Sequence, residues 1–98
     1  MIIQESVHQD RMTRYYIRNF DSWDEFDSLV AFVTQSLNGT ITDSIDGPEG
    51  TRLRTIVVRG CRLVFVHDDM LGNCLFSPED NEPQVLQDTV QLLQMASL

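Results

Sequence analysis

A chain of 98 residues with 42% hydrophobic residues is long enough to build one core and too short for two domains, so residues 1–98 are read as a single domain. Fifteen acids against seven basic residues, all of them arginines, give a net charge of −8, which argues against nucleic acid or an anionic membrane surface as partner because both attract concentrated positive charge. No basic-then-apolar leader opens the chain, no apolar run is long enough to span a bilayer, and Cys61 and Cys74 are the only cysteines. The expected location is therefore the reducing cytoplasm, with two free thiols that pack as small apolar side chains.

Residues 2–8 suit a first strand and residues 12–20, MTRYYIRNF, a second in which aromatics and Ile17 alternate with arginines. Ser22 followed three residues later by Glu25 has the spacing of a capping box. Phe26, Leu29, Val30, Val33 and Leu37 then recur at helical spacing as far as the stop signal Asn38-Gly39.

A strand is expected over residues 40–45, then a turn at Gly47-Pro48-Glu49-Gly50. Two β-prone runs follow, 53–59 and 62–68, separated by Gly60-Cys61, which predicts a type II′ hairpin. That turn would set Val58 opposite Leu63 and Arg59 opposite Arg62. One side of the hairpin then carries Ile56, Val58, Leu63 and Phe65, the other Leu53, Val57, Val64 and Val66. Residues 73–77 read as a further strand. Beyond it either Ser77 caps a short turn with Pro78 in its first position, or the last helix begins near Pro83, with Leu86, Val90 and Leu93 as its stripe. The order β(β)-α-β-β-β-β-α implies an α+β, two-layer fold: a mainly antiparallel sheet of four to five strands with two helices on one face.

The hairpin with two apolar faces is the principal functional clue, since two short helices cover one face of such a sheet. Leu53, Val57, Val64 and Val66 are expected to meet a protein partner or a second copy of the chain, unless the first strand or the loop 69–72 folds over them. Arg59 and Arg62 at the hairpin tip are candidate docking points for an anion, though splaying into solvent is the commoner fate of such a pair. Trp23 is a candidate interface anchor, half exposed in the first helical turn.

Other constellations point elsewhere. His8 with Asp10 and His67 with Asp69 would offer ligands for a metal if the two segments met. A small enzyme or metal-binding protein centred on His67, Asp69 and Cys74 is the alternative reading. The acids Asp21, Asp24, Glu25 and Asp27, and Glu79, Asp80 and Glu82, fall near expected helix starts, where capping is the expected role and docking of a basic partner the other. An acidic decoy of nucleic acid is a third reading. No phosphate loop, nucleophile elbow or zinc-ligand cysteine spacing occurs, so no cofactor is implied and an enzyme is the less favoured class.

Overall fold

The computed structural model describes residues 1–79 and 81–97. Its elements are β1 (Ile3–Val7), β2 (Thr13–Ile17), α1 (Trp23–Ser36), β3 (Thr40–Asp46), β4 (Thr51–Val58), β5 (Cys61–Asp68), β6 (Gly72–Phe76) and α2 (Gln84–Met95). The strands form one sheet of six in the order β1-β2-β6-β5-β4-β3, with antiparallel neighbours throughout. The optional first strand is formed, which raises the expected four to five strands to six.

Helix α1 carries the chain from β2 to the far edge of the sheet. From there β3, β4, β5 and β6 return as a meander until β6 closes against β2. The helix begins as its sequence dictates: Glu25 N donates to Ser22 Oγ at 3.2 Å, and Ser22 N donates to Glu25 Oε1 at 3.1 Å. Such reciprocal capping typically contributes on the order of 1 kcal/mol. At the other end Asn38 adopts the left-handed conformation, with φ 54°, and releases the chain into β3.

Phe26, Leu29, Val30 and Val33 of α1, with Val85, Leu86, Val90 and Leu93 of α2, pack on one side of the sheet against Tyr15, Ile17, Ile56, Val58, Leu63, Phe65 and Leu75. This is the core. Helix α2 begins at Gln84 with Pro83 as its N-cap, the expected start, and has no acid in its first turn. Glu79 and Glu82 therefore do not cap it, and Asp80 lies outside the described residues.

The β4–β5 turn corrects the sequence reading. Arg59 and Gly60, with φ of 52° and 77°, form the two-residue loop, so Val58 pairs with Cys61 and Ile56 with Leu63. Positive φ at both positions marks a type I′ turn, whose twist matches that of the flanking strands. The partner strand is displaced by two residues from the expected register. Because side chains alternate with period two, the composition of each face is unchanged. Arg62 faces Val57, and Arg59 sits in the turn.

Candidate interaction surface

The helices leave one sheet face without a covering layer. A single row of side chains crosses it through five strands: Ile45 on β3, Leu53 on β4, Val66 on β5, Cys74 on β6 and Tyr16 on β2. Every member is apolar or aromatic. The adjacent row runs from Asp43 through Thr55, Val64 and Phe76 to Arg14, whose guanidinium lies 5.1 Å from the centre of the Phe76 ring. Val64 is buried among these neighbours, Leu53, Val57, Val66 and Phe76 are half-buried, and Ile45 is exposed. Neither β1 nor the β5–β6 turn lies across this face: β1 extends the sheet edge beside β2, while Leu71 of the turn walls one end of a hollow of about 390 Å³. That hollow lies between Tyr16, Val66, Cys74 and Phe76, with His8, Arg14 and Asp68 at its rim.

Arginines supply part of the cover. Arg18 stacks on Tyr16 at 4.8 Å from the ring centre and donates to Gln4 Oε1 and to the Leu71 carbonyl. The Tyr16 hydroxyl lies 3.1 Å from His8 Nε2, and burial raises its pKa above that of free tyrosine. Burial also pushes the Cys74 thiol up to about 11, which keeps it protonated at neutral pH and removes the thiolate a nucleophile requires.

On the helix side the polar residues form a separate, closed network. Asn73 is fully buried; its Nδ2 donates to the carbonyls of Phe20 and Ser22, so its Oδ1 is the atom that faces His67 Nδ1 at 2.7 Å. His67 Nδ1 is therefore the donor. Nε2 of the same ring lies 3.0 Å from Asp69 Oδ1, and Trp23 meets the ring edge-on at 5.5 Å. Alongside, Arg52 lies 4.6 Å from the Trp23 ring centre and 5.3 Å from that of Phe26, and pairs with Asp27 at 2.8 Å and Asp46 at 3.2 Å. Arg54 also pairs with Asp46, at 2.9 Å. First Arg54 and then Arg52 hold the Asp46 carboxyl below its ordinary pKa.

No protein-family model, curated protein or solved structure matches this chain.

The four apolar candidates Leu53, Val57, Val64 and Val66 share the helix-free face. Of the remaining candidates, Arg62 shares that face opposite Val57, whereas Trp23 and Arg59 do not. Trp23 stands on the helix side, where Arg52 and His67 occupy it, at 41% exposure. Arg59 reaches back to Asp88 at 2.8 Å, and Arg62 binds Glu79 at 2.8 Å. The expected Arg59–Arg62 juxtaposition is not formed, because the type I′ turn moves each arginine beside its own acid.

The expected metal site is not assembled. His8 bonds Tyr16 on the helix-free face and Asp10 binds Arg14, whereas His67 and Asp69 bond each other on the helix side. Among the described residues no group of three or more His, Cys, Asp or Glu side chains is placed to hold a metal ion. Cys74, paired with Val66, lies across the sheet from His67, so His67, Asp69 and Cys74 do not converge. Cys61, paired with Val58, faces the helices while Cys74 faces away from them, and both thiols are free.

A second hollow, of about 450 Å³, lies between the β1–β2 turn and the segment after β6. Its acids are already engaged: Asp10 by Arg14, Glu79 by Arg62, and Glu82 by Tyr15 and Gln87.

Sequence reading missed the polar partners Asn73, Arg52 and Asp46, and it missed Ile45, Cys74, Phe76 and Tyr16 as members of the open face. Strand parity was the available signal for the second group. The first had none, because Asn73 and Arg52 acquire their roles from pairing across strands.

Proposed function

We propose that this chain is a protein-interaction module of the cytoplasm that meets its partner through the helix-free sheet face. One observation carries the reading: on the helix-free face the exposed Ile45 and the half-buried Leu53, Val57 and Val66 adjoin one another across β3, β4 and β5, with no described helix or strand packed over them. Apolar side chains left grouped on an uncovered sheet face are the kind of surface that contact sites use. The two free thiols on opposite faces support a reducing compartment. Among the described residues no helix is long and apolar enough to cross a membrane.

The test is site-specific photo-cross-linking in the native host. A photoreactive residue in place of Leu53 should capture a protein, while the same residue in place of Gln91, exposed on the outer side of α2, should not. Equal labelling from both sites, or none from Leu53, would overturn the proposal.

A further inference from the structure

We infer that His67 is held in the fold as the imidazolium and acts as a proton-dependent latch, tying the β5–β6 turn to the start of α1 and to the β3–β4 turn. Two contacts of one ring carry this. Asn73 Nδ2 donates to the carbonyls of Phe20 and Ser22 at 3.0 and 3.3 Å, which turns Asn73 Oδ1 towards the ring at 2.7 Å, so Nδ1 bears a proton. Nε2 lies 3.0 Å from Asp69 Oδ1, which is an acceptor as well. A neutral imidazole has one N–H and would set a lone pair against that oxygen. Both contacts are hydrogen bonds only when both nitrogens are protonated.

The proton between Nε2 and Oδ1 belongs to the ring. Free imidazole holds a proton up to about pH 6.5, a free aspartic acid only up to about pH 3.9. The Asp69 side chain is 62% exposed, so water supports its charge, whereas that of His67 is 3% exposed and needs an opposite charge beside it to stay ionised.

The charges packed around the ring agree. Opposite His67 on β4, Arg52 lies against Trp23 and Phe26 of α1, the two aromatic rings whose centres are 5.5 and 6.1 Å from that of the imidazole. Arg52 would repel a second cation, but Asp27 of α1 and Asp46 of β3 bind it at 2.8 and 3.2 Å, and the same two acids bind Arg54 at 3.8 and 2.9 Å. Two arginines are thus matched by two carboxylates, and Asp69 is left for His67. Asp68 spends its carboxylate on the amides of Met70 and Leu71 at 2.8 and 3.1 Å, and Asp21, ahead of α1, lies against Gly72. An imidazolium balances the cluster of Arg52, Arg54, Asp27, Asp46 and Asp69, and a neutral ring leaves it one charge short.

Three segments meet at this ring. Asn73 carries it to the residues leading into α1, and Asp69 carries it to the β5–β6 turn. The Asp69 carboxylate also fills the space beside Gly50 of the β3–β4 turn, where an added Cβ would land on it. Loss of the Nε2 proton sets lone pair against carboxylate, and the exposed Asp69 side chain is the one free to swing away. The turn keeps its Asp68 hydrogen bonds, so unlatching parts Asp69 from Gly50 and opens Nε2 to solvent while β5 and β6 stay paired. Histidine suits such a device because its charge changes close to physiological pH.

Long-range proton–nitrogen NMR of the ring, with the backbone amide of Gly50 followed in the same samples from acid to alkaline pH, tests the inference. At neutral pH both ring nitrogens of His67 should show the shifts of a protonated imidazolium. As pH rises Nε2 alone should lose its proton, leaving the Nδ1–H tautomer, and the Gly50 amide resonance should move along the same curve. Asp69→Asn places an amide there that donates to a neutral Nε2. Its ring should be the neutral Nδ1–H form at neutral pH, and its Gly50 resonance should stay fixed over the range in which that of the wild type moves. Asp69 is exposed, so the core is untouched, and circular dichroism verifies the fold. A wild-type ring that is neutral at neutral pH, a ring equally charged in Asp69→Asn, or a Gly50 amide that does not follow the ring would overturn the inference.

Discussion

His67 Nδ1 and Asn73 Oδ1 meet at 2.7 Å where β5 and β6 pair, and the amide of the same Asn73 holds the carbonyls of Phe20 and Ser22. One buried side chain thus ties the sheet to the start of α1. Imidazole, amide and two carbonyls are satisfied together, and removing the amide leaves all the others short of a partner. Each buried polar group so orphaned typically costs about 1–3 kcal/mol.

Asn73→Ala is therefore expected to destabilise the fold by about 3 kcal/mol, more than the loss of one hydrogen bond. A double-mutant cycle with His67→Ala, read by urea unfolding, should give a coupling of about 1 kcal/mol or more, as groups in one network do. Additive effects would show that the two residues act separately.

Two glycines with the same backbone demand should respond differently to alanine. Gly60 and Gly50 both have positive φ, 77° and 74°. Space is open around Gly60, so Gly60→Ala should cost only the left-handed strain of about 1–2 kcal/mol. At Gly50 an added Cβ lands on the Asp69 carboxylate. Gly50→Ala should cost more and should shift the His67 ring resonances in NMR spectra, whereas Gly60→Ala leaves them in place.

Acid should weaken the fold once pH falls into the carboxylate range. Arginine partners lower the pKa of Asp10, Asp46 and Glu79, and Gln84 with Arg59 lowers that of Asp88. Each folded-state value lies below its unfolded value, so the folded chain binds fewer protons and stability is present above the unfolded pKa. It is lost as pH falls through the ordinary carboxylate range near about 4 and below. Urea midpoints measured from pH 7 to pH 3 should decline, and Asp46→Asn should flatten that decline.

At the alkaline end the sign reverses. Burial, with the carboxylate of Glu82, pushes Tyr15 up to about 12, and burial pushes Cys74 up to about 11. Both folded values exceed the unfolded ones, so this stabilisation is complete below the unfolded values and is lost as pH rises through 11 and 12. Iodoacetamide at neutral pH should therefore leave Cys74 unmodified in the folded chain and label it on unfolding, as mass spectrometry of the two cysteine peptides would show.

Helix α1 was legible in full from local chemistry, because Ser22 with Glu25 and the stripe from Phe26 to Val33 interact within a few residues of each other. The two faces of the β4–β5 hairpin were legible for the same reason. Alternation survives the two-residue change of register that the Arg59-Gly60 turn imposes. Spacing alone also showed that Leu53, Val57, Val64 and Val66 share a side.

Contacts between residues distant in sequence belong to the tertiary structure. Helix α1 carries β3 to the far edge and leaves β6 to pair with β2, and this pairing joins Tyr16 and Cys74 to Val66, Leu53 and Ile45 in one row. Pairing of β5 with β6 sets Asn73 beside His67. The sequence by itself determined which residues turn inward or outward along each strand, since that follows from the backbone period. Which outward residues become neighbours depends on strand order, which no local spacing encodes.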